Sequence, residues 1–156
     1  MPLPPVAALA GAPFALVSWD WITMPFTSAN PEHHSGLLKP KEAGLGAVAR
    51  ADICAISLET PHAPRNLAVW GYDALGPDGG AADIHTPVAG FGFVEGGEES
   101  PFDVAVEDGE TTITFSDLSF PPSLRMLVFQ AGWQLEESID DAPLVGATWA
   151  TYIKYE

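Results

Sequence analysis

The segment Phe102–Phe115, FDVAVEDGETTITF, concentrates residue types suited to acid–base or metal chemistry. It lies within a stretch from Arg65 to Arg125 that holds eleven Asp and Glu and, between those two arginines, no positive charge. Two carboxylates can hydrolyse a glycoside when they stand roughly 5–9 Å apart across a cleft. A larger set can hold calcium, which takes about six to eight oxygen ligands. Glu98 and Glu99 in EGGEES, with Glu107 and Glu110 in EDGE, are the candidate ligands.

The spacing favours a plainer reading. Asp108-Gly109 is a dipeptide that closes a two-residue hairpin, where both central positions take positive φ. Counting outward pairs Glu107 with Glu110, Val106 with Thr111, Ala105 with Thr112, Val104 with Ile113, Asp103 with Thr114 and Phe102 with Phe115. One face then carries Phe102, Val104, Val106, Ile113 and Phe115. The other carries Asp103, Ala105, Glu107, Glu110, Thr112 and Thr114. The two strands agree on the apolar face, and that agreement fixes the register. The acids are therefore expected on a solvated outer face and at the tip. No ordered calcium-loop spacing is present, and no metal or other cofactor is expected.

Other reactive types are weighed in the same way. His33-His34 follow Glu32 in a segment rich in turn formers, with His62 further on. No H-x-x-x-H or H-E-x-x-H spacing joins them, so they read as polar loop residues. His85 reads as a strand-edge histidine that Asp83 could orient. A serine triad would also want the G-x-S-x-G elbow, which is absent. Cys54 is the one cysteine, so no intrachain disulfide or thiolate cluster forms. Its place in ADICAISLE suggests a buried, inert thiol. GPDGG and EGGEES lack the following Lys and helix of a phosphate cradle. No catalytic residue is assigned.

Tryptophan is the stronger alternative. There are five, and Trp19 and Trp21 share strand parity. Exposed, the pair could stack on sugar rings; buried, it belongs to a core.

These residues must be carried by strands. Gly and Pro number 15 each, spread as punctuation, while 47% of residues are hydrophobic and 17% charged. That composition suits one folded domain of many short strands. Strands are expected over Phe14–Met24, within LGAVARADICAISLE with a bend, over NLAVWGYDAL and over TPVAGFGFVE. The hairpin, LRMLVFQAGW (apolar enough for burial on both faces) and PLVGATWATYIKYE complete the set. TSANPEHHSGLLKPKEAG reads as a long loop, TPHAPR as a break and GPDGG as a turn. Gly90 and Gly92 permit close packing. The count is about eight strands, which suits an all-β, single antiparallel β-sandwich, jelly-roll-like, over residues 14–156.

Residues 1–13 read as an extended N-terminal arm. Pro2, Pro4 and Pro5 favour polyproline geometry, and Val6 and Leu9 are its apolar anchors onto a neighbouring subunit. The arm resembles a leader only superficially, lacking a basic n-region, so no signal peptide is recognised. No apolar run is long enough to insert in a membrane.

The net charge is −15, from 21 acids and six bases. Six scattered bases make no stripe for displacing counterions, which argues against direct nucleic-acid binding. The combined expectation is a non-enzymatic structural subunit of a larger assembly: a virion protein of a virus or phage, in the capsid, its decoration or the tail. Its partners would be copies of itself and other shell or particle proteins, in a virion or other extracellular particle. The alternative is a carbohydrate-binding β-sandwich module, with a glycan on Trp19 and Trp21.

Overall fold

A computed structural model describes residues 4–9, 12–22, 33–49, 53–83, 85–94, 102–115, 120–134 and 144–154. The strands are β1 (Ala7–Leu9), β2 (Ala12–Ile22), β3 (His33–Leu37), β4 (Ala47–Ala49), β5 (Ala55–Leu58), β6 (Asn66–Tyr72), β7 (Ala89–Val94), β8 (Phe102–Glu107), β9 (Glu110–Phe115), β10 (Met126–Gln134) and β11 (Leu144–Lys154). One helical turn, α1 (Pro40–Ala43), starts with Pro in the first helical position and is followed by Gly44 at positive φ. Among the described residues no helix is long and apolar enough to cross a membrane.

The eleven strands form one curled sheet, a half-barrel, in the order β7-β6-β10-β11-β2-β1-β5-β9-β8, with β3 on β2 and β4 on β11. Every pairing is antiparallel except the short β4–β11 contact. The protein is therefore all-β and antiparallel, as expected, with its strands linked in one continuous curl. The reason lies in β2. Residues 12–14 pair with β1, while residues 15–20 pair with β11. One strand is thus hydrogen-bonded into both halves, and the sheet turns the corner without a break. A bulge helps it bend. Thr148 faces Ser18 and Trp149 faces Leu16, which leaves Val17 as the extra residue.

The core fills the concave side. β10 supplies Leu127, Phe129, Ala131 and Trp133, and β11 supplies Ala147, Trp149 and Ile153, all buried. Alternation puts these residues on one face. Phe129 and Trp149 are cross-strand partners and stack with centroids 5.5 Å apart. Phe14 and Trp133 extend the aromatic line at 6.3 and 6.4 Å. Each such pair adds about 0.5–1.5 kcal/mol beyond the area it buries. The TPHAPR break carries the chain from β5 to β6, and its polar groups are satisfied. The Thr111 hydroxyl donates to Thr60 O at 2.8 Å, Trp133 Nε1–H to His62 O at 2.9 Å, and Arg65 N–H to Gly132 O at 2.7 Å.

Four expectations are corrected. The arm is, over Ala7–Leu9, a strand of this chain's own sheet, set between β2 and β5. Leu9 is fully buried, Ala7, Pro4 and Pro5 are buried, and Val6 is exposed; Pro2 lies outside the described residues. The long loop contains β3 and α1. Cys54 is exposed, because it sits at the bend before β5 and not within the strand. β10 is buried on its concave face and only in part on the other, where Met126 and Gly132 are buried, Val128 is half-buried and Gln130 is exposed.

Candidate functional site

The opening hairpin has the expected register, pair for pair, from Glu107↔Glu110 to Phe102↔Phe115. Asp108 and Gly109 have φ of 52° and 80°, the left-handed values that the turn demands. Asp103, Glu107, Asp108 and Glu110 are all exposed. They occupy a solvated face and tip, not the walls of a cleft. The apolar face is split, however. Phe102, Thr111 and Ile113 are buried, whereas Val104 and Val106 stand 37% and 46% exposed. β8 lies at the end of the sheet, where the core no longer covers its concave side. Glu98 and Glu99 lie outside the described residues.

His33 and His34 lie on β3, with side chains outside the described residues, and His62 and His85 are exposed. Asp83 accepts the His85 backbone N–H at 2.9 Å and the Thr86 hydroxyl at 2.7 Å. These two bonds close a local turn and hold the Asp83 carboxyl below the usual carboxylate range, the Thr86 bond contributing most. Its oxygens thus serve this turn rather than the imidazole. Among the described residues, no three His, Cys, Asp or Glu could share a metal ion.

The tryptophans mostly serve packing. Trp133 and Trp149 are buried. Trp19 is half-buried, packs against the core and faces Gly36 across the β2–β3 pair. A Cβ on Gly36 would overlap the Trp19 indole, so the glycine seats the ring. Trp70 lies in the same way beside its partner Gly90. The Trp21 side chain lies outside the described residues.

The convex face holds a groove of about 410 Å³, a feature the local sequence did not announce. Its floor comprises Val17, Tyr72, Met126, Val128 and Ala150. One wall is Leu37-Leu38-Lys39, drawn in by the Leu38 N–H donating to Val17 O at 2.7 Å. The bulge that bends β2 thus also supplies the carbonyl that anchors this wall. The other wall is the GPDGG loop, including Asp78 and Gly80. The Tyr152 hydroxyl ties that loop down by donating to Gly79 O at 2.6 Å. Burial, and then the negative charge of Asp83, push the Tyr72 hydroxyl above the ordinary tyrosine value. Leu37 projects from the groove's rim 83% exposed. The signal for this site was spread over residues remote in sequence, and only the turn-forming GPDGG stood out.

A scan against protein-family models and searches of curated proteins and of solved structures found no match to this chain.

Proposed function

We propose that the protein is a non-catalytic structural subunit that works by docking into a larger assembly. The particle we favour is a virion of a virus or phage, in which the chain serves as a capsid, capsid-decoration or tail component. One observation carries the reading: Leu37, among the described residues the most exposed large apolar side chain, stands at the lip of an apolar groove. An apolar lip and floor in water are suited to burial against another protein. The net charge of −15 makes a copy of this chain a poor occupant at low salt and favours a different particle protein. The same charge argues against direct contact with nucleic acid. The choice of a virion rests on the sequence reading: a strand-rich acidic body without an assigned catalytic motif.

The test is Leu37→Glu. An exposed side chain contributes little to folding, so stability should stay within about 0.5 kcal/mol of the parent. The mass of the native complex, measured by light scattering on material isolated without denaturant, should fall to that of the free subunit. A variant that enters the same complex as the parent would remove the support for this reading. So would a parent protein that is monomeric in its source.

A further inference from the structure

We propose a second binding site, separate from the groove: the open edge of β8 captures an extended segment of a partner protein whose apolar and basic residues alternate. β8 ends the sheet and pairs with β9 alone among the described strands. The hairpin decides which of its backbone groups are free. In a two-residue hairpin the residues flanking the turn, Glu107 and Glu110, form a hydrogen-bonded pair, and pairs alternate from there. Glu107, Ala105 and Asp103 therefore direct their N–H and C=O toward β9. Val104 and Val106 direct theirs outward. The far side of β9 agrees with this phase. Phe115, opposite Phe102, donates its N–H to Cys54 O at 3.0 Å, away from β8.

The residues with outward backbone groups are also those with uncovered apolar side chains. Val104 and Val106 face the concave side, 37% and 46% exposed, while their partners Ile113 and Thr111 are fully buried. An added strand would hydrogen-bond to Val104 and Val106 and extend the core over their side chains. The opposite face specifies the partner's charge. Asp103 and Glu107 are exposed there, Asp108 and Glu110 lie beside them, and no Lys or Arg occurs from residue 66 to 124. Basic side chains at alternate positions of the guest would meet Asp103 and Glu107. A second copy of β8 fits badly. Antiparallel pairing centred on Ala105 sets Asp103 against Glu107 of the copy on both sides, and like charges directly opposed are destabilising. The acids thus guard the edge against self-association while leaving it open to a cationic strand. A merely guarded edge would have no use for two exposed valines.

The probe is a seven-residue peptide alternating valine and lysine, blocked at both ends and titrated into the full chain. We expect saturable binding that weakens with salt. The amides of Val104 and Val106 should become protected from hydrogen exchange on binding. Those of Asp103, Ala105 and Glu107, already bonded to β9, should change little. Val104→Pro removes one outward N–H and leaves the β9 ladder intact, so affinity should fall at least about tenfold. The double variant Asp103→Lys, Glu107→Lys alters only exposed side chains and should reverse the preference toward a valine–glutamate peptide. Leu37→Glu should leave peptide binding unchanged, which separates this site from the groove. Absence of saturable binding overturns the proposal. Protection elsewhere than Val104 and Val106, or lysine-peptide binding indifferent to the double charge reversal, overturns it as well.

Discussion

β1 and β8 make an instructive pair. β1 is three residues long, and Ala7 and Leu9 at its two ends are almost wholly buried. β8 is twice as long, richer in β-branched residues, and buried only at Phe102. Local sequence ranks them the other way, since Ala-Ala-Leu carries little strand signal and Val-Ala-Val carries more. Their neighbours decide the outcome. β1 lies between β2 and β5, so its side chains meet the core from a position inside the curl. Among the described strands β8 has one neighbour, and it stands where the concave core runs out. Burial here follows position in the sheet rather than the apolarity of the strand.

The contrast is broken most directly from the buried side. Leu9→Ala should cost about 2–5 kcal/mol, as for a fully buried leucine in a packed core. Val106→Ala should cost less than about 1 kcal/mol, because much of its side chain stays in water in the folded state. Urea denaturation of both variants measures the difference, and equal costs would show that β1 and β8 share one environment. Removing residues 2–12 altogether should unfold the chain rather than merely prevent assembly.

Next in size is Gly109→Val. At φ of 80° a β-branched residue is strained, and about 1–3 kcal/mol should be lost. Because the hairpin is peripheral, the loss should appear first as faster amide exchange in β8 and β9. Unchanged exchange there would mean that the turn can be rebuilt without left-handed backbone.

A pH series gives the smallest effect and samples a third place, the loop at Tyr72 and Asp83. The Tyr72 hydroxyl is raised, so its neutral form is favoured in the fold. Its contribution is fully present below the ordinary tyrosine value near 10 and is lost as pH climbs through the folded value. Asp83 is lowered, so its contribution is present above the ordinary carboxylate range and is lost as pH falls through the folded value. Tyr72→Phe should flatten the alkaline decline in stability, and Asp83→Asn the acid one. The gap between the Leu9 and Val106 variants should hold across the neutral range.

Where sequence reading worked, it worked through signals that are local. Asp108-Gly109 and the alternation beside it were enough for the whole β8–β9 register. β6, β7, β10 and β11 announced themselves as apolar or alternating runs. Where it failed, the cause lay across the sheet. β3, His-His-Ser-Gly-Leu, has no strand pattern of its own; its Gly36 makes sense once Trp19 lies over it. Pro4 and Pro5 suggested an extended arm held by a neighbouring subunit, yet both are buried beside a strand that β2 and β5 hold in place. The groove was illegible because its floor draws on β2, β6, β10 and β11 together. Strand counting, on which the sandwich expectation rested, says nothing about whether one strand serves both halves.

That shared strand imposes a timetable on synthesis. β2 meets β1 and β3, both near it in sequence, along one edge, but the neighbour on its other edge is β11, with Asp20 opposite Gly146 and Ala15 opposite Ala150. As the chain leaves the ribosome, β2 emerges among the first strands and β11 among the last. Until β11 arrives, one long edge of β2 has no mate, and β10 lacks one of its two. Pairings this remote in sequence close slowly, and nascent chains with unpaired strand edges are prone to stick to one another. The seam of the half-barrel is therefore sealed after translation has passed it, and an interrupted chain would be left with an open β2.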